Sequence, residues 1–270
     1  MNRSVRVLVG LAVLLTLLSA AGCTKLKARD QLNKGVQSFK NARYEEAINH
    51  FNEAVKYDPT LINARLYLAT AYAQQYVPGA DTPDNTAMGN NAIDEYKKVL
   101  DQDPKNVGSV KGIAYLYLQM KKFDEAKQFY RKAAEIDPND PENYYSIGVI
   151  DWTQAYQPRM EERAKLGLKP TDALNDKKVC AALKTQNSDK VEEGITALTK
   201  ALDLRPNYDD AMAYMNLMYR ERADYECDNP SARQADLKTA DEWVDKTMAT
   251  KKANAEKQGQ GGIVLDQKQQ

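Results

Sequence analysis

Very few residues in this chain could carry covalent or acid–base chemistry. It has one histidine, His50, and three cysteines, Cys23, Cys180 and Cys227. A Ser-His-Asp arrangement would have to use His50, yet no serine lies in the glycine-flanked elbow that exposes a nucleophile. No second histidine exists to complete a zinc site, and a place on the helical pattern from Tyr44 to Tyr57 marks His50 as a surface residue. Asp81, Asp84 and Asn85 cluster in VPGADTPDN but lack the alternating oxygen ligands and closing glutamate of a calcium loop. Neither the P-loop nor the dinucleotide-binding glycine pattern occurs. Cys180 and Cys227 have no Cys-x-x-Cys spacing. Outside the cytoplasm they could pair as a disulfide, and the alternative is two unpaired thiols. The carboxylates mostly neighbour lysine or arginine on helix exteriors, where ion pairing and solubility account for them. The expectation is a protein that is not an enzyme and holds no cofactor or metal.

Cys23 is the exception. Arg3 and Arg6 give a positive start, Val7 to Leu18 is an apolar run too short for a comfortable membrane span, and Ser19-Ala20-Ala21-Gly22 supplies small residues before the cysteine. This stretch resembles a bacterial lipobox, with Ala20 where leucine is commoner. The resemblance implies a signal peptide over 1–22, a diacylglycerol thioether on the Cys23 sulfur, cleavage after Gly22 and acylation of the new N-terminus. Several acyl chains, at ~0.8 kcal/mol per buried methylene, would hold the protein stably on a membrane. The expected location is extracytoplasmic. Thr24 in place of aspartate leans towards the periplasmic face of an outer membrane, if the organism has one. A short tether over 23–27 would then keep the folded part close to the headgroups.

The rest of the chain must supply a surface. Lys plus Arg and Asp plus Glu are 38 each. Loss of Arg3 and Arg6 with the leader leaves 36 basic against 38 acidic residues. That balance argues against a nucleic-acid partner, whose phosphates favour a strongly basic face. Charged residues at 28% and 16 tyrosines suit an exposed, helix-rich interaction protein.

The clearest pattern is Val107 to Pro138. Ile113, Ala114 and Tyr117 share one face of a first helix, and Ala126, Tyr130 and Ala133 share one face of a second. Lys121-Lys122-Phe123 forms the bend, and Pro138 ends the second helix. Such a hairpin cannot bury its apolar faces alone and predicts neighbours. Pro59, Pro104, Pro138 and Pro206 each follow Asp or Arg at the end of a helical run. The spacings are 45, 34 and 68 residues, the last being twice 34. The period and its anchors resemble the tetratricopeptide repeat family. Gly35, Ala47, Phe51, Ala54 and Pro59 fit a first repeat. Ala69, Tyr72, Ala92, Tyr96, Val99 and Pro104 fit a second, and Ala114, Ala126, Tyr130, Ala133 and Pro138 a third. Gly148, Gly194, Leu198, Ala201 and Pro206 fit a fourth. Asn207 to Arg222 begins a fifth, whose partner around Ala240 and Trp243 turns charged as a terminal cap should. The resemblance implies an all-α, right-handed α-α superhelix of about five hairpins over 28–252, with insertions in the second and fourth.

The second repeat is 11 residues over period, predicting an enlarged loop from Gln75 to about Asn85. In the fourth, residues 153–190 separate the two matching helices. Pro158 should kink or start a helix there, so one or two additional helices are favoured over a degenerate extra repeat. This insert carries eight Lys/Arg against five Asp/Glu. The tail, 253–270, reads as disordered.

The resemblance further implies that first-helix positions line a concave groove. Here these are Leu32, Val36 and Phe39, then Leu66 and Thr70, then Lys111, Tyr115 and Leu118. Tyr145, Val149 and Trp152 follow, then Leu217 and Arg220. Leu32 and Val36 stand where some chaperone-docking relatives begin a carboxylate clamp, so that clamp is missing. An apolar, aromatic-lined groove suits an amphipathic helix or extended apolar segment of a protein partner, and internal packing is the competing use of the same residues. The expected function is a lipid-anchored scaffold or adaptor at the bacterial envelope. The alternative is an assembly factor for an envelope machine, such as one that inserts outer-membrane proteins or assembles pili.

Overall fold

The structure, a computed structural model, describes residues 23–169, 172–226 and 228–266. The leader, Cys227 and residues 267–270 lie outside the described residues. All regular secondary structure among the described residues is helical. Ten helices follow in order: α1 (23–40), α2 (Tyr44–Tyr57), α3 (Ile62–Gln75), α4 (Pro83–Gln102), α5 (Val107–Gln119), α6 (Phe123–Ile136), α7 (Pro141–Lys165), α8 (Lys177–Leu204), α9 (Asp209–Asp224) and α10 (Pro230–Asp266). They fall into two compact units, one ending at Lys122 and the other starting at Phe123.

The proline period has a common local cause. Before each proline the chain closes its helix in the same way. Asp58 N–H donates to Ala54 O, Asp103 to Val99 O, Asp137 to Ala133 O and Arg205 to Ala201 O, all at 2.8–2.9 Å. The next residue is proline, which has no N–H to continue the ladder. After Pro104 and Pro138 the following helix starts on a side-chain cap: Asn106 Oδ1 accepts from Ser109 N–H, and Asp140 Oδ1 from Glu142 N–H.

In the first unit, α2 and α3 bury Ala47, Phe51, Ala54, Ala64 and Ala71 completely. Small residues at one-turn spacing allow the backbones to approach, and Phe51 fills the remaining space. Glu45 and Glu46 in the first turn of α2 and Lys56 in its last suit the helix dipole. Residues 23–27, expected as a tether, are helical. Lys25, Leu26, Lys27 and Ala28 are good helix formers with no glycine or proline among them.

In the second unit the fourth hairpin departs from expectation. The segment 153–190 adds no helices; it lengthens the two already present. α7 has 25 residues and α8 has 28, against 14 in α6. At 1.5 Å per residue, α7 reaches about 16 Å further than α6. Pro158 lies inside α7 without ending it. Beyond it, Arg159 and Arg163 are held by carboxylates of α9: Arg159 Nε lies 2.9 Å from Glu221, and both guanidiniums lie within 3.0 Å of Asp224 Oδ2. Asn187 Nδ2 of α8 donates to Ala155 O of α7 at 3.1 Å in a buried position. These tertiary partners outweigh the hydrogen bond that the proline removes. Cys180 is disulfide-bonded, whereas Cys23 is free and exposed.

α10 runs on to Asp266; Ala253, Ala255, Glu256 and Lys257 favour helix in the first part of the tail, and Gly259, Gly261 and Gly262 do not in the rest.

Candidate functional site

The most built feature of the first unit is the loop that joins α3 to α4. Part of the 11-residue excess lies in this loop, 76–82, and part in a longer α4, whose first turn takes up Pro83 to Asn85. Thr82 caps α4 by accepting from Asn85 N–H at 3.2 Å, and Pro83 follows at the first helical position. The buried Asn85 side chain then clamps the loop backbone. Its Oδ1 accepts from Val77 N–H at 2.7 Å, and its Nδ2 donates to Val77 O at 2.9 Å and Ala80 O at 2.7 Å. Three bonds to one side chain hold seven residues that would otherwise be free to move.

Two clefts open on either side of this loop and share Tyr76 and Gln119. The narrower, about 240 Å³, lies between α3 and α5, and Thr70, Gln74, Tyr96 and Tyr115 line it. The wider, about 500 Å³, is bordered by Gly79, Asp81, Asn90, Met120 and Lys121. Its walls depend on close approach at Gly89, where an added Cβ would lie 2.2 Å from Met120 Cε and 3.0 Å from the Tyr76 ring. Tyr96 is nearly buried and passes over Gly112, where a Cβ would come within 2.7 Å of the ring. Its hydroxyl is 3.1 Å from Thr70 Oγ1. Burial raises its pKa above the usual phenol value, so it stays neutral. Beside it Tyr115 is 54% exposed. The site therefore offers two phenol rings, several amides and one rigid loop.

The expected groove residues divide between the units. Leu32, Val36 and Phe39 are half-buried against the core around Phe51 and Leu68. Phe39 also meets Tyr44 and Tyr67, with centroids 5.4 and 6.4 Å apart. Leu66, Lys111 and Leu118 are half-buried. Thr70 and Tyr115 are the members of the set that line the smaller cleft.

In the second unit α9 covers the face concerned. The Tyr145 ring lies 4.9 Å from Tyr208 and 5.7 Å from Tyr214, and Trp152 lies 5.4 Å from Tyr214 and 4.8 Å from Tyr156. Both pack against the core cluster of that unit. Burial holds the phenols of Tyr145 and Tyr208 well above their usual range, and the Tyr208 hydroxyl donates to Glu142 at 2.6 Å. Val149 and Leu217 are half-buried, and Arg220 is bonded to Asn216 at 2.8 Å and to Asp241 at 2.7 Å. Asn85 and Tyr76 were not among the expected residues. By sequence, Gln75 to Asn85 reads as loop; Thr82 followed by Pro83 is the cap signal that could have marked the helix start, and nothing marked the clamp.

Charge is concentrated in the second unit. Lys127 Nζ lies 2.5 Å from Asp151, which is fully buried, and 3.0 Å from Glu193, which also takes Arg131. Burial pushes Asp151 up to about 6 although Lys127 pulls it down. Burial alone would lower Lys127, but Asp151 and Glu193 together hold it above its usual value. Glu221 is pushed up to about 7, again by burial first, since its Arg159 contact lacks hydrogen-bond alignment. These groups tie α6, α7, α8 and α9 together. His50 is a packing residue too, with Nδ1 2.7 Å from Gln31 Oε1.

Comparison with known proteins places this architecture. Residues 89–147 match a family model described as tetratricopeptide repeat, and residues 38–75 match one described as TPR repeat. The peroxisomal targeting signal receptor of Saccharomyces cerevisiae is 25% identical over 205 residues, covering 72% of this chain and 32% of the receptor. The Hsp70-Hsp90 organizing protein of Triticum aestivum is 27% identical over 115 residues, 43% of this chain and 18% of that protein. The chain thus spans about a third or less of the length of these curated relatives. Among solved structures, a MamA protein superposes with a TM-score of 0.58 at 13% identity, covering 85% of this chain and 94% of that one. YrrB superposes at 0.51 with 14% identity, covering 83% and 90%. Residues 38–75 and 89–147 are thus similar to tetratricopeptide repeats, and the chain has the all-α fold of these repeat structures, a protein-interaction scaffold.

Proposed function

We propose that this protein is a lipid-anchored scaffold of the bacterial envelope whose first unit captures an extended segment of a protein partner beside Tyr115. The observation that carries the reading is an exposed aromatic ring next to a cleft walled by a clamped loop. A cleft of about 240 Å³ holds less than one turn of helix, which is about 5.4 Å long and about 10–12 Å across with side chains. An extended chain fits better. An apolar side chain would lie against Tyr96 and Tyr115, and Gln74 and Gln119 would meet its backbone amides. The structurally similar YrrB is described as having an unusual peptide-binding site, which is consistent with a repeat surface of this kind taking a peptide.

The anchor rests on the leader and Cys23. The disulfide at Cys180 supports an oxidising, extracytoplasmic compartment. Confinement to a membrane would raise the effective concentration of scaffold and partner without any new contact.

Two measurements in one strain test this reading. Cell fractionation should move the protein from membrane to soluble fractions on Cys23→Ala; a variant still wholly membrane-bound contradicts the anchor. Crosslinking in intact cells with mass spectrometry should recover partners from the wild type and far fewer from Tyr115→Ala. Equal recovery contradicts the cleft. One dominant machine component among the partners would favour the assembly-factor role, and several soluble clients a general adaptor.

A further inference from the structure

Described chain begins in helix at Cys23, and three exposed cations, Lys25, Lys27 and Arg29, lie within its first two turns. In a chain that starts at Cys23 these charges have the wrong sign for the helix dipole, so helix stability does not explain them. Leu26 lies among them and is 71% exposed. Ala28 is fully buried against the unit. At about 100° per residue, Leu26 points away from that packed side. The surroundings leave much of the positive charge uncompensated. Asp58, at the end of α2, is held below the usual carboxylate range first by the Thr60 hydroxyl and further by Lys25 and Arg29. Asp30 is paired with Lys34 at 2.8 Å, and Lys27 Nζ lies 5.7 Å from the Tyr57 ring centroid.

We propose that this outward turn of α1, Leu26 with Lys25, Lys27 and Arg29, docks on an anionic lipid surface. The inference rests on the lipid-anchor reading and goes beyond it. Acyl chains on Cys23 alone would leave the folded body free to swivel. With the turn docked, Leu26 enters the boundary between headgroups and acyl chains, and the cations meet lipid phosphates. The first unit then has a fixed orientation to the membrane.

The test uses the acylated full-length protein carrying Leu26→Cys, labelled at the introduced thiol with an environment-sensitive fluorophore and reconstituted in vesicles. Cys23 is a thioether in that protein and does not take the label. In vesicles containing phosphatidylglycerol the emission should shift to the blue, and the shift should be lost in pure phosphatidylcholine. It should also be lost in 1 M salt, where the Debye length falls to about 3 Å. K25E/K27E/R29E should abolish it as well. Those reversals put acidic residues where the helix dipole favours them, so they do not threaten the fold. Protein that floats with the vesicles but emits as in solution overturns the docking and leaves the anchor standing. Protein that does not float overturns the anchor, and the docking with it.

Discussion

Asn85 and Val77 exchange hydrogen bonds in both directions, Val77 N–H to Asn85 Oδ1 at 2.7 Å and Asn85 Nδ2 to Val77 O at 2.9 Å. A side chain in the first turn of α4 thereby acts as a strand of backbone would and fixes the shape of the loop before it. Both clefts beside that loop depend on its shape.

Asn85→Ala should therefore cost more than an ordinary surface change. It removes the three bonds to Val77 and Ala80, each worth about 0.5–1.5 kcal/mol in a loop whose residues are largely exposed. Hydrogen exchange should speed up at 76–82 while helices of the second unit keep their protection. Partner capture should fall with it. Unchanged exchange in the loop would show that the clamp is not what orders it.

The aromatic residues of the two units should behave in opposite ways. Trp152→Ala and Tyr145→Ala remove rings packed on Tyr214 and should destabilise the second unit by about 3–5 kcal/mol. Tyr115→Ala removes a ring that is 54% exposed and should change stability by less than about 1 kcal/mol. Thermal or denaturant unfolding of the three variants separates packing from binding directly.

Stability should also depend on pH in a definite direction. Glu221 is raised to about 7 by burial, from an ordinary value of 4.5. The folded state thus holds its proton more tightly, and its contribution is fully present below about pH 4. It is lost as pH rises through 7, with a total of ~3 kcal/mol. Asp151, raised to about 6, acts in the same sense. The melting temperature should fall between pH 5 and pH 8, and Glu221→Gln should flatten that slope. A melting temperature that rises over this window would mean that both carboxylates are ionised in the fold.

Much of the fold was legible because its signal is local. Pro59, Pro104, Pro138 and Pro206 mark the period because each follows a helix closed by the same backbone bond, and the alanine and aromatic anchors sit within one turn of each other. What could not be read depended on distant partners. Pro158 looks like a helix breaker until Glu221 and Asp224, some sixty residues later, are placed beside Arg159 and Arg163. Tyr145 and Trp152 fall on groove positions by repeat arithmetic, but α9 brings Tyr214 onto that face. Asn85 reads as the end of a loop, and nothing in its neighbours showed that it would start α4 and turn its amide back onto Val77 and Ala80.

The central claim is that partners are captured at the clamped cleft of the first unit. Site-specific photocrosslinking in living cells tests it most directly, with a photoreactive side chain placed at Tyr115 in one strain and at Tyr145 in another. The account predicts a protein adduct from position 115 that disappears on Asn85→Ala, and none from position 145. No adduct from 115 in a normally folded, membrane-bound protein would contradict it, as would an adduct that survives Asn85→Ala unchanged.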